Sequence, residues 1–156
     1  MFINQRTLKK IYNQKILDPN KLSEINNCFI ENKDIISDFV YENPYNFSEE
    51  ELKIVEGFKT ALSGETFIVC GFDRNYTHIY SNTNKKIYMV KGIRANLDEI
   101  LNNHELPFFV STTLLNFKNT IIYNGMISTM PLLSGSHFKN LIFIEVSQAK
   151  KCYTIL

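Results

Sequence analysis

Residues 106–125 read LPFFVSTTLLNFKNTIIYNG, and the fold turns on how this stretch is taken. It holds two apolar runs rich in β-branched and aromatic residues, Phe108–Leu115 and Thr120–Tyr123. Between them lies the polar turn Asn116–Phe117–Lys118–Asn119. Such runs bounded by turn formers predict two strands meeting as a hairpin. Phe108, Phe109 and Val110 are consecutive, as are Leu114 and Leu115. Neighbouring residues on a strand point to opposite faces, so both faces of this hairpin need cover. A central place in a sheet follows.

Upstream, the period changes from that of helices to that of strands. Residues 3–17 place Ile3, Leu8, Ile11 and Ile16 on one helical stripe, and Asp18–Pro19–Asn20 ends it. A second helix is expected over 21–31, and a third, short one over Asp34–Tyr41. Ser48–Glu49–Glu50–Glu51 is a capping box, with Phe47 and Leu52 at the staple positions and an acidic first turn. The helix it opens should run to Leu62 and stop at Ser63–Gly64. Thr66–Phe72, Tyr76–Ser81 and Lys86–Ile93 then read as an antiparallel meander. A short helix is expected over Asn96–Asn103, and Ile127–Leu133 extends the sheet until Pro131. Phe138–Gln148 fits a helix at Phe138, Leu141 and Ile142, while LIFIEV also fits a strand. We take it as helix, against the objection of Glu145 on the apolar stripe. Tyr153–Leu156 is a tail that can pack or pair.

Helices first and strands afterwards predict an α+β fold, with N-terminal helices packed on a largely antiparallel sheet. At 156 residues the expectation is one domain, with a helical part over 1–46 and the capped helix plus sheet over 47–156. Such a domain buries roughly two-thirds of its unfolded surface. Twelve Phe and eight Tyr supply the core in place of the missing Trp. A net charge of +1 disfavours a general polyanion binder. Cys28, Cys70 and Cys152 match no metal or disulfide spacing and read as thiols of a reducing cytosol. The start MFINQRTLKK has no signal-peptide core, and no apolar run is long enough to span a membrane. The expectation is therefore a cytoplasmic protein with no membrane partner. Richness in Asn, Lys and Ile suggests AT-rich bacterial or phage coding.

At FIVCGF, KKIYMVKGI and LPFFVSTTLLNFKNTIIYNGMI the chain resembles a family of uncharacterised bacterial proteins, some of which carry a small SEC-C-type zinc motif. The resemblance covers roughly Phe39 to Leu156 and implies a fold without an activity. The chain departs from that family's pattern at Asn116, where the pattern has Pro, and at Asn124, where it has Asp. No Cys/His cluster is present, so no zinc is carried over and no cofactor is expected.

Each candidate chemistry competes with a plainer reading. Cys70 and His78, on adjacent strands, have the residue types of a thiolate–imidazole nucleophile, but also of a buried thiol beside an ordinary strand residue. His78, His104 and His137 with Asp73 or Glu105 form no recognised metal spacing. Asp73, Glu99 and Glu105 belong to a turn, a helix and a loop, which suits solvated acids better than a nuclease centre. Ser134–Gly135–Ser136–His137 before a helix could cradle phosphate, though Ser136 as an N-cap explains it. One basic–aromatic cluster remains, made of Tyr76, Tyr80, Lys85, Lys86, Tyr88, Lys91 and Arg94. On one sheet face it would suit single-stranded RNA; the plainer reading is half-buried tyrosines beside solvated lysines.

The expected function is a non-catalytic macromolecule-binding protein of a bacterium or phage, with a protein partner. An inhibitor of a host defence nuclease, of anti-CRISPR type, is one kind. The alternatives are a small hydrolase or nuclease using dispersed Cys, His and Asp residues, and a single-stranded RNA-binding protein.

Overall fold

The computed structural model describes residues 31–92, 97–101, 104–130 and 136–156. The expected helix over 3–17 lies outside them, and of the one over 21–31 only Glu31 is described; Arg94, Leu133–Gly135 and the side chains of Ser136 and His137 lie outside as well. The chain divides into two compact units, with the boundary between Glu56 and Gly57.

In the first unit, α1 (Asp34–Glu42) buries Ile36 and ends at Asn43, whose φ of 38° gives the left-handed cap. Asn43 also brackets the next loop: its Oδ1 accepts the Phe47 amide, and its Nδ2 donates to the Phe47 carbonyl. Phe39, Tyr45 and Phe47 gather there, with ring centroids about 6 Å apart. The capping box forms as expected at the head of α2 (Glu49–Gly57). The Ser48 amide donates to Glu51 Oε2 at 2.8 Å, and the Glu51 amide reaches Ser48 Oγ at 3.4 Å.

The expected extension of this helix to Leu62 does not occur. The α-helix stops at Gly57 and passes into one 3-10 turn, Phe58–Thr60. Leu62 is drawn away by β4, exchanging two backbone hydrogen bonds of 2.9 Å with Leu114. A strand partner for Leu62 is incompatible with helical geometry, so the helix must end before it.

The second unit is a mixed, mostly antiparallel sheet. Its strands are β1 (Thr66–Phe72), β2 (Thr77–Ser81), β3 (Lys86–Lys91), β4 (Phe108–Phe117), β5 (Thr120–Met130) and β6 (Lys150–Cys152). The order β2-β1-β4-β5-β3-β6, with a further β2–β3 pairing, closes the first five strands into a small barrel. The α+β class and the antiparallel β1–β2–β3 meander are as the sequence predicts. The 106–125 hairpin is also central, with β4 between β1 and β5. Its turn is tighter than expected: only Lys118 and Asn119 separate the strands, at φ 44° and 62°. Two successive left-handed residues match the twist of the flanking strands.

β3 shares one edge between two parallel partners. Residues 86–88 pair with β6, and residues 90–91 pair with Ile121 and Ile122 of β5. The barrel interior holds Phe67, Val69, Ile79, Tyr88, Val90, Phe108, Val110, Leu114, Ile121 and Tyr123. Leu97 and Leu101 of α3 (Leu97–Leu101) join it, as does Ile155 of the tail. The segment taken as helix near the C-terminus is α4 (Ser136–Gln148).

Candidate functional site

The outer face of β1–β2–β3 is apolar, and α4 covers it. Alternation along each strand places Ile68, Tyr80, Ile87 and Met89 outside the barrel, where they pack against Ile142 with Val146 and Ala149 beside it. Glu145 also links α4 to the sheet. The Tyr80 hydroxyl donates to Glu145 Oε2 at 2.7 Å, and Lys85 Nζ reaches the same oxygen at 3.0 Å. These two donors hold the Glu145 carboxyl below its ordinary range. Burial, and then the hydrogen bond to that carboxylate, push the Tyr80 phenol up to about 12.

The basic–aromatic cluster is therefore not one face. Tyr80 lies under α4, while Tyr88, one strand away and of opposite parity, is inside the barrel. They are 1% and 3% exposed, so neither offers a ring to a base. Lys85 is engaged with Asn82 and Glu145. Lys86 is half-buried at the start of β3, in register with Lys150. The structure does join Tyr76 and Lys91: the ammonium sits 5.1 Å from the ring centroid. Tyr153 closes this group edge-on against Tyr76 at 5.4 Å. The sequence reading missed Tyr153, because it lies 77 positions from Tyr76 and no local pattern links them. Five-stranded Greek-key barrels of the oligonucleotide-binding type use the face of their second and third strands. Here α4 occupies that face.

The catalytic candidates are engaged otherwise. A bulge at Cys70 shifts the β1–β2 register, so that Gly71 rather than Cys70 stands opposite His78. The Cys70 thiol donates to the His78 backbone carbonyl at 3.3 Å, not to its ring. Burial pushes this thiol up to about 11, the opposite of an activated nucleophile. The His78 ring turns to Asp73, with Nε2 at 2.8 Å from Oδ2. Asp73 Oδ1 also accepts the amides of Asn75 and Tyr76, the signature of an Asx turn. The bond to His78, and then the turn amides, lower the Asp73 carboxyl. His104 stacks on Phe108 with centroids 4.8 Å apart, and Glu105 lies 3.8 Å from Lys139. Among the described residues no three His, Cys, Asp or Glu side chains converge on a metal position. The depression beside Asp73, Tyr76, Leu97 and Asp98 is open to solvent and encloses no cavity.

Among the described residues, three large apolar side chains of α4 stand exposed away from the sheet. Phe143 is 76% exposed, Ile144 53% and Leu141 47%. Ile142 and Val146 of the same helix pack on the sheet. A helix covering a sheet normally keeps its second face polar; on α4 these three apolar residues stand among the polar Asn140, Ser147 and Gln148. Among the described residues, no helix is long and apolar enough to cross a membrane. Against known proteins, no family model matches the chain, and no curated protein or solved structure matches it.

Proposed function

We propose that this chain is a non-catalytic binding protein that engages a protein partner through the outer face of α4. The observation that carries the reading is the exposure of Leu141, Phe143 and Ile144 on a helix already anchored by its other side. Exposed apolar groups on a rigid, pre-ordered element supply binding energy at little entropic cost. An aromatic anchor flanked by aliphatics is a common centre of protein interfaces. An inhibitor that blocks a host nuclease would act through such a face.

The other readings fit the geometry less well. A hydrolase built on Cys70 would need its thiolate, and this thiol is raised and hydrogen-bonded to a carbonyl. An RNA-binding face would need Tyr80 and Tyr88 uncovered.

The test uses the tagged chain, recovered from its native host and compared with the double variant Phe143→Asp, Ile144→Asp. A partner that co-purifies with the parent chain is then made separately, and its affinity for both forms is measured. The reading expects the double variant to lose about tenfold or more in affinity at an unchanged melting temperature. Equal binding by both forms overturns it.

A further inference from the structure

Asn124–Gly125 is the only Asn–Gly pair in the sequence, and the fold places it where β5 leaves regular pairing. The β4–β5 register runs Leu114 opposite Tyr123 and then jumps to Thr112 opposite Ile127. Asn124, Gly125 and Met126 therefore stand against Thr113 alone. Gly125 is exposed at φ 86°, and a side chain there would meet nothing within 4 Å. The Met126 amide donates to Asn124 Oδ1 at 3.2 Å. Thr112 Oγ1 pins the far side of the bulge by donating to the Met126 carbonyl at 2.7 Å.

We propose that Asn124–Gly125 is a self-modification site, at which the Asn124 side-chain amide is lost to its own backbone. The Gly125 nitrogen, deprotonated by hydroxide, bonds to Asn124 Cγ. The Cγ–Nδ2 bond breaks, and the amide departs as ammonia after taking a proton from water. The resulting five-membered imide is opened by water. Breaking the new bond between Cγ and the Gly125 nitrogen leaves an ordinary aspartyl side chain in place of the amide. Breaking the original peptide bond to the Asn124 carbonyl carbon leaves the chain running through Cγ, an isoaspartyl link. Three features favour the first step. Gly125 has no Cβ to obstruct the approach. The register shift replaces regular β4–β5 pairing at residues 124–126 with a bulge, where the backbone departs from ladder geometry. The Met126 N–H is aimed at the oxygen that becomes negative as Cγ is attacked, as an oxyanion-stabilising donor should be. The plainer role of that hydrogen bond, capping the bulge, uses the same geometry and does not compete with it. The aspartyl product would add a negative charge at the bulge, and the isoaspartyl product would add a methylene to the backbone of β5 as well.

The experiment ages the purified chain at neutral and at mildly alkaline pH, folded and in urea. Peptide mass mapping locates each amide-to-acid conversion, and an isoaspartyl methyltransferase counts the rearranged product. In the folded chain, conversion at Asn124 should precede that at Asn75, Asn116 and Asn119. Its rate should rise in proportion to hydroxide, and isoaspartate should accumulate with it. Asn124→Gln, which would have to close a larger ring, should stay intact over the same period. The proposal is overturned if Asn124 keeps its amide in the folded chain while the urea-unfolded chain converts.

Discussion

Asn116, at the end of β4, shows how much one side chain organises. Its Nδ2 donates to Thr60 Oγ1 at 2.9 Å and to the Ile155 carbonyl at 2.7 Å, while its Oδ1 accepts the Ile155 amide at 2.8 Å. The amide thus serves as a strand partner for the tail and ties down the turn after α2. Gly57 lies so close that a Cβ there would sit 2.7 Å from the Asn116 carbonyl oxygen. Asn116→Ala leaves both Ile155 backbone groups without this partner and should cost about 1–3 kcal/mol, read from urea denaturation. In the first unit, Ser48→Ala removes the helix cap and should cost about 0.5–2 kcal/mol by the same measurement. Cys70 gives a chemical readout. With its thiol raised to about 11 by burial, alkylation at mildly alkaline pH should be slow in the folded chain and fast in urea. Asp73 gives a pH readout. Its folded carboxyl lies below the unfolded value, so the stabilisation is full above that unfolded value and fades as pH falls through the folded one. Asp73→Asn should therefore flatten the acid limb of the stability curve, measured as melting temperature against pH.

At the scale of elements, α4 is the test case, because adjacent residues on it have opposite roles. Ile142 is 6% exposed against the sheet, whereas Phe143 faces solvent. Ile142→Ala should cost about 2–5 kcal/mol, and Phe143→Ala should stay within about 0.5 kcal/mol. Thermal denaturation of the pair decides whether α4 is fixed as described. The same helix marks the limit of what the sequence discloses. Phe138, Leu141 and Ile142 display the helical period, but Glu145 makes sense only once Tyr80 and Lys85 come to it from 65 and 60 positions away. Local signals were legible where the chemistry is local. β1 has the bounds its apolar run implies, and Ser48 and Glu51 cap each other across three residues. The basic–aromatic cluster divides for a related reason. Tyr80 and Tyr88 are alike in type, and their separation onto the two sides of the sheet follows from the antiparallel register of β2 and β3. The end of α2 is not legible locally, because Leu62 answers to Leu114, a partner 52 positions away.

The whole molecule depends on pairings that residue patterns do not announce. Barrel closure needs β3 to meet β5 across some thirty intervening residues, and β6 completes the same edge from beyond α4. Neither strand carries a mark of this in its sequence, since Lys150 and Lys151 read as solvated cations. The order of synthesis gives this shared edge a further meaning. The β1–β2–β3 meander is made before the segments that pair with its open edge and cover its outer apolar face. Their partners, Ile121 and Ile122, Ile142, and Lys150–Cys152, leave the ribosome well after it. A nascent chain of this protein therefore carries a bare strand edge beside Ile68, Tyr80, Ile87 and Met89 until those partners have been made. Such a surface is what holding chaperones bind and what neighbouring nascent chains on a polysome can pair with.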